Sequence, residues 1–145
     1  MLKLKFELDT TNFIETKLIK KRDGKLLVDI QGRLEVFVND QCFFLEPSLA
    51  LLEFGIALKK WKRDKDFYYY TMEHDEREGP ILAFIKEGEN HWTIFSIWQL
   101  YESRELLPFD RIIDAVDLFL IELDRELLNN YGFNIDDFIK SKWIF

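Results

Sequence analysis

The stretch 80–99, PILAFIKEGENHWTIFSIWQ, decides the fold. ILAFI, residues 81–85, is a short apolar run rich in β-branched and aromatic side chains. Residues 92–98 then alternate: Trp92, Ile94, Ser96 and Trp98 on one side, Thr93, Phe95 and Ile97 on the other. Side chains on a strand repeat every two residues, so both faces are largely apolar. Such a strand belongs inside a sheet that is covered on both sides. EGENH, residues 87–91, supplies Gly88 and Asn90, which suit a tight hairpin turn. Upstream, DFYYYTME (66–73) reads as a third strand, joined through HDEREGP (74–80). Three antiparallel strands are predicted over 66–99.

Outward from this hairpin, Leu2, Leu4, Phe6 and Leu8 alternate with Lys3, Lys5 and Glu7. That is a strand with one solvated face. Residues 12–20 carry no clear period and read best as strand. Asp23-Gly24 is a hairpin-turn signal. Leu26, Val28 and Ile30 open the next strand, Gly32 marks a bulge or bend, and Leu34, Val36 and Val38 continue it. Asn39-Asp40 turns the chain into QCFFL (41–45). Pro47 is expected to open a helix reaching Arg63, since a proline costs no hydrogen bond in the first turn. Its apolar residues cover two arcs, so it is mostly enclosed. The basic turn Lys59, Lys60, Lys62 and Arg63 complements the negative end of that helix rather than forming a phosphate site. A second helix is predicted over 108–131, with Ile112, Val116, Phe119, Leu120, Leu123 and Leu127 facing the sheet and Gly132 ending it. Residues 135–143 give a short final helix or turn. The sum is a single α+β domain over 1–145: an antiparallel, mostly meander sheet with two main helices packed on it.

Composition narrows the function. The 145 residues include 14 Phe, 5 Tyr and 4 Trp, which argues for an ordered core. Net charge is −7. Residues 1–72 hold 13 Lys/Arg against 11 Asp/Glu, net +2, and residues 73–145 hold 7 against 16, net −9. That balance disfavours nucleic acid and favours a basic partner. One cysteine, Cys42, excludes an internal disulfide framework and a multi-cysteine metal site. With no signal-like apolar run at the N-terminus and no stretch of membrane-spanning length, the reading is a cytoplasmic protein. Gly-rich phosphate loops, GxSxG, HExxH and CxxC are absent, so no catalytic residue and no cofactor are expected.

The outer face of the second helix is the most informative surface. Asp110, Asp114, Asp117, Ile121, Asp124 and Leu128 fall on one stripe, flanked by Leu118. A plain solvated face would mix charges at four-residue spacing. An acidic stripe set with Ile and Leu fits a docking face, in which apolar contacts hold and carboxylates steer. The loop 74–79, with Asp75 and Glu76, would touch the same partner. Solvation alone accounts for either feature without a partner. His74 and His91 are separated by one full strand of roughly 20 Å, so no shared metal site is expected. Glu46 and Glu53 border the first helix, where capping and ion pairing are the plain roles. Both buried in one cavity, lined by Tyr68, Tyr70, Trp92 or Trp98, would instead point to ligand or acid–base chemistry. Cys42 reads as a buried thiol.

FVNDQCFFLEPSLALLEFGIALKKW, the FYYYTME strand and WTIFSIWQ together resemble small, mostly uncharacterised bacterial proteins. In general character the chain is similar to immunity proteins of polymorphic-toxin systems, over residues 25–130. That resemblance implies a non-enzymatic, protein-binding domain that covers a basic toxin surface with its acidic helix. A small-molecule-binding protein or enzyme with an aromatic, carboxylate-bearing pocket is the alternative. A homodimer joined through the Ile121 stripe is the third reading.

Overall fold

The computed structural model describes residues 1–71 and 76–139. Two antiparallel sheets and two major helices make an α+β fold. The first sheet holds β1 (Leu2–Leu8), β2 (Gln31–Val38) and β3 (Gln41–Ala50), in that order. The second holds β4 (Phe67–Tyr69), β5 (Leu82–Lys86), β6 (His91–Phe95) and β7 (Leu107–Pro108). Between β1 and β2 lie two short helices, α1 (Thr16–Lys21) and α2 (Leu26–Asp29). The major helices are α3 (Leu51–Lys60) and α4 (Phe109–Tyr131), and α5 (Asp136–Ile139) closes the described chain. The expected meander is therefore split into two sheets, with α3 as the link.

The first sheet follows from its sequence. β1 and β2 alternate buried and exposed residues, and β1 pairs with β2 from Leu2↔Val38 to Leu8↔Gly32. Asn39 and Asp40 both take positive φ, 49° and 68°, the two-residue turn whose twist matches an antiparallel hairpin. Gly32 sits where β2 and β3 slip in register. A Cβ there would collide with the Glu7 carbonyl oxygen and lie 2.7 Å from a Leu51 methyl. Only glycine allows β1, β2 and the start of α3 to meet this closely.

Five expectations change. Residues 16–21 are helical, so the strand expected over 12–20 does not form. Asp23-Gly24 links α1 to α2 rather than turning a hairpin: Leu26 N–H donates to Asp23 O and Leu27 N–H to Gly24 O. Leu26, Leu27 and Ile30, all buried, are spaced for one helical turn, not for a strand. Pro47 does not open a helix. Glu46 pairs with Leu34 and Leu49 with Gly32, so Pro47 falls in the bulge, where a missing N–H breaks no ladder bond. α3 starts at Leu51 and ends at Lys60. Lastly, β6 stops at Phe95, and only one of its faces is covered. Trp92 and Ile94 are buried, Thr93 is half-buried and Phe95 is exposed. The second-helix reading holds: Pro108 precedes α4, and Gly132 ends it with φ 78°.

The core spans both sheets. α3 touches β2 and β3 of the first sheet, β4 of the second, and α2, α4 and α5. A chain of rings crosses with it: Phe6 of β1 meets Phe119 of α4 at 5.3 Å, Phe119 meets Phe54 of α3 at 5.4 Å, and Phe54 meets Tyr69 of β4 at 5.0 Å. Edge and tilted contacts of this kind add to the burial term. Gly32→Ala should lower stability by at least about 1–3 kcal/mol, as overpacking does. A denaturant midpoint equal to wild type would contradict the close approach.

Candidate functional site

Glu53 is the one buried carboxylate among the described residues, 7% exposed in the first turn of α3. An acidic residue there suits the positive end of a helix. Ala50, the residue before the helix, offers no side-chain cap, and Leu51 N–H donates to Ile30 O at 3.1 Å. On β4 the alternation turns Phe67 and Tyr69 inward and Tyr68 outward. The Tyr69 hydroxyl donates to Glu53 Oε1 at 2.9 Å. Burial, and then the neighbouring carboxylate, push the Tyr69 phenol well above its ordinary range. It stays protonated and acts as a donor, not as a nucleophile.

The segments that carry this pair also border a cleft. Val28, Gln31, Glu46, Ser48, Leu49, Ala50, Thr71 and Trp98 line it, with a volume of about 180 Å³. Ala50 lies three residues before Glu53, and Thr71 two after Tyr69. The cleft is smaller than the roughly 300–1,000 Å³ of drug-sized sites. Glu46 is half-buried, and its Oε1 accepts from Ser48 N–H at 3.2 Å. Trp98, 44% exposed, stands on a turn fixed by Trp98 N–H to Ser96 Oγ at 2.9 Å. The next residues tie the two sheets together, since Leu100 N–H donates to Phe43 O at 2.8 Å. Glu46 and Glu53 do not share one cavity: Glu46 lines the cleft and Glu53 lies outside its lining. Of the aromatic candidates, Trp98 reaches the cleft. Trp92 is in the core, and the exposed Tyr68 hydroxyl bonds Asp66. Gln31, Ser48 and Thr71 escaped the sequence reading. The parity of Phe67 and Tyr69 was the signal for the inward tyrosine, and the 26, 27, 30 spacing for α2.

On α4 the stripe divides. Asp117 meets Arg63 at 2.6 Å, and Asp124 Oδ1 accepts from Ile135 N–H at 2.9 Å. Asp110 and Asp114 are exposed, as are Leu118, Ile121 and Leu128 at 55%, 58% and 53%. At 100° per residue the same outward arc also carries exposed Arg111 and Arg125, so its charge is mixed rather than uniformly acidic. Asp75 and His74 lie outside the described residues, and Glu76 begins a short 3-10 turn, Glu76–Glu78. Among the described residues no group of three or more His, Cys, Asp or Glu side chains could hold a metal ion, and no helix is long and apolar enough to cross a membrane. Cys42 is half-buried, with Sγ 3.5 Å from Phe44 O.

The fold and cleft define a two-sheet α+β domain with a small carboxylate-and-tryptophan recess. Residues 4–129 match the family described as a domain of unknown function (DUF7878), and the chain belongs to it. No curated protein and no solved structure matches the chain.

The buried pair sets a pH dependence. A phenol whose folded pKa lies above the unfolded value near 10 leaves stability unchanged at lower pH. As pH rises above about 10 the unfolded chain loses this proton first, so stability falls. Denaturant curves between pH 8 and 11 should show a steeper fall for wild type than for Tyr69→Phe. Parallel curves would remove Tyr69 from the balance.

Proposed function

We propose that this protein binds a small organic cation, an amine or ammonium compound, in the cleft between α2, β3 and the Trp98 turn. The observation that carries this reading is the meeting of the Glu46 carboxylate and the Trp98 ring in the lining of the cleft. The cleft itself supplies the matching chemistry. Among the described residues Glu46 is the one ionisable group in the lining, Trp98 offers a ring for a cation, and Gln31, Ser48 and Thr71 offer polar contacts. The reading is of a binding protein, since Tyr69 and Glu53 are tied to each other.

Calorimetry against primary and quaternary ammonium compounds and their neutral isosteres tests it. Saturable binding of the cations is expected, with the isosteres silent. Trp98→Ala should weaken binding by about 0.5–2 kcal/mol, the worth of a cation on an aromatic face. Glu46→Gln should erase the preference for charge. No binding at millimolar concentration, or equal binding of the isosteres, sinks the proposal.

A second reading, docking of a protein partner on α4, is favoured by the exposure of Leu118, Ile121 and Leu128. The immunity-protein form of it needs a basic toxin, and the arginines on the same arc oppose that charge match. Asp114→Lys should then leave partner capture unchanged while Ile121→Asp abolishes it. Loss of capture with Asp114→Lys alone would favour the electrostatic version.

A further inference from the structure

Among the described residues β1 is an edge strand, paired with β2 on one side and with no strand on the other. The ladder shows which groups face the open side. Asn39 N–H donates to Met1 O and Asp9 N–H to Gln31 O, both at 2.9 Å, so the odd-numbered residues of β1 bond β2. The backbone N–H and C=O groups of Leu4, Phe6 and Leu8 therefore point outward. Among the described residues none of these groups makes a hydrogen bond outside the sheet. Beside the second half of the strand runs an open groove of about 580 Å³, bordered on α4 by Glu122, Arg125, Glu126 and Asn130. Among the described residues nothing covers the edge there.

Exposed edges are often blunted by lysine, and β1 has Lys3 and Lys5. Two steps along the same face, however, come Glu7 and Asp9. Lys3, Lys5 and Glu7 take part in no ion pair among the described residues. Lys3 and Lys5, then Glu7, and Asp9 just past the end of β1 with Oδ1 accepting from Thr11 N–H, give a face that complements its own reverse.

We propose that two copies of this chain join by antiparallel pairing of their β1 strands about Phe6, making one six-stranded sheet. In this register Phe6 stands opposite Phe6 of the other copy and Leu4 opposite Leu8. All are even-numbered, so their outward N–H and C=O groups meet as hydrogen-bonded pairs. The odd residues then face one another as Lys5 with Glu7 and Lys3 with Asp9, each twice, and every cross-strand pair is of opposite charge. A shift of two residues either way sets Lys5 against Lys5 or Glu7 against Glu7. The interface is isologous, as a two-fold dimer requires, and it leaves the cleft free.

Light scattering on the eluting protein reads the outcome. Wild type should run as a dimer of the 17.5 kDa chain. Lys5→Glu alone and Glu7→Lys alone should each run as monomers, with circular dichroism like wild type. An equimolar mixture of the two should restore a dimer, because Glu at 5 of one chain then meets Lys at 7 of the other. A covalent trap covers the case in which a reversal fails to fold. With Cys42→Ser in both chains, Lys5→Cys mixed with Glu7→Cys should give a disulfide-linked heterodimer, since directly opposed residues in such pairs lie about 4.5 Å apart at Cα. A monomeric wild type, single reversals that still dimerise, or no cross-link in the trap would each overturn the proposal.

Discussion

α3 has almost no free surface. Leu51, Leu52, Glu53, Phe54, Gly55, Ile56 and Leu58 are all buried in a helix of 10 residues. A helix this short owes its stability to packing rather than to propensity. It is therefore the surrounding elements that hold it, and it in turn holds them apart. The one polar side chain taken inside is Glu53, and its bond to Tyr69 joins the helix to the second sheet. An unpaired buried carboxylate would be strongly destabilising, so the geometry of β4 against α3 is constrained at this point.

That constraint explains why the sheets stay separate. β3 ends at Ala50 and the chain enters α3 at once, so the first sheet cannot continue into the second. Gly55 lets α3 sit closely under α4 and the residues before α5: a Cβ there would be 2.7 Å from a Leu123 methyl and 3.1 Å from Ile135. The Trp98 turn then closes the gap between the sheets from the other end, through Leu100 and Phe43. The recess between them is a by-product of this arrangement, and Glu46 and Trp98 give it chemical character.

Much of the fold was legible. The two-residue period of β1 and β2, the Asn39-Asp40 turn, the apolar stripe of α4 and Gly132 each point to one structure by local physics. α1 and α2 were not legible, because six and four residues are too few for a helical period to declare itself. Pro47 misled because a bulge made a strand position tolerant of proline. The site was less legible than the fold. Glu53 and Glu46 stand out as carboxylates near an apolar helix, but their separation into interior and cleft depends on where β3 ends. Asp117 and Asp124 look free in a helical wheel. Their partners, Arg63 and the Ile135 amide, come from distant turns of the chain and are set by tertiary packing.

The central claim is that the Glu53–Tyr69 bond couples α3 to the second sheet. A double-mutant cycle with Glu53→Gln, Tyr69→Phe and both together, read by denaturant unfolding, measures that coupling directly. Groups in one buried hydrogen-bond network couple by about 0.5–3 kcal/mol. The account predicts a value within that range, with the double variant losing less than the sum of the singles. Additive losses would show that the two side chains act separately, and the organising role given to them would fall.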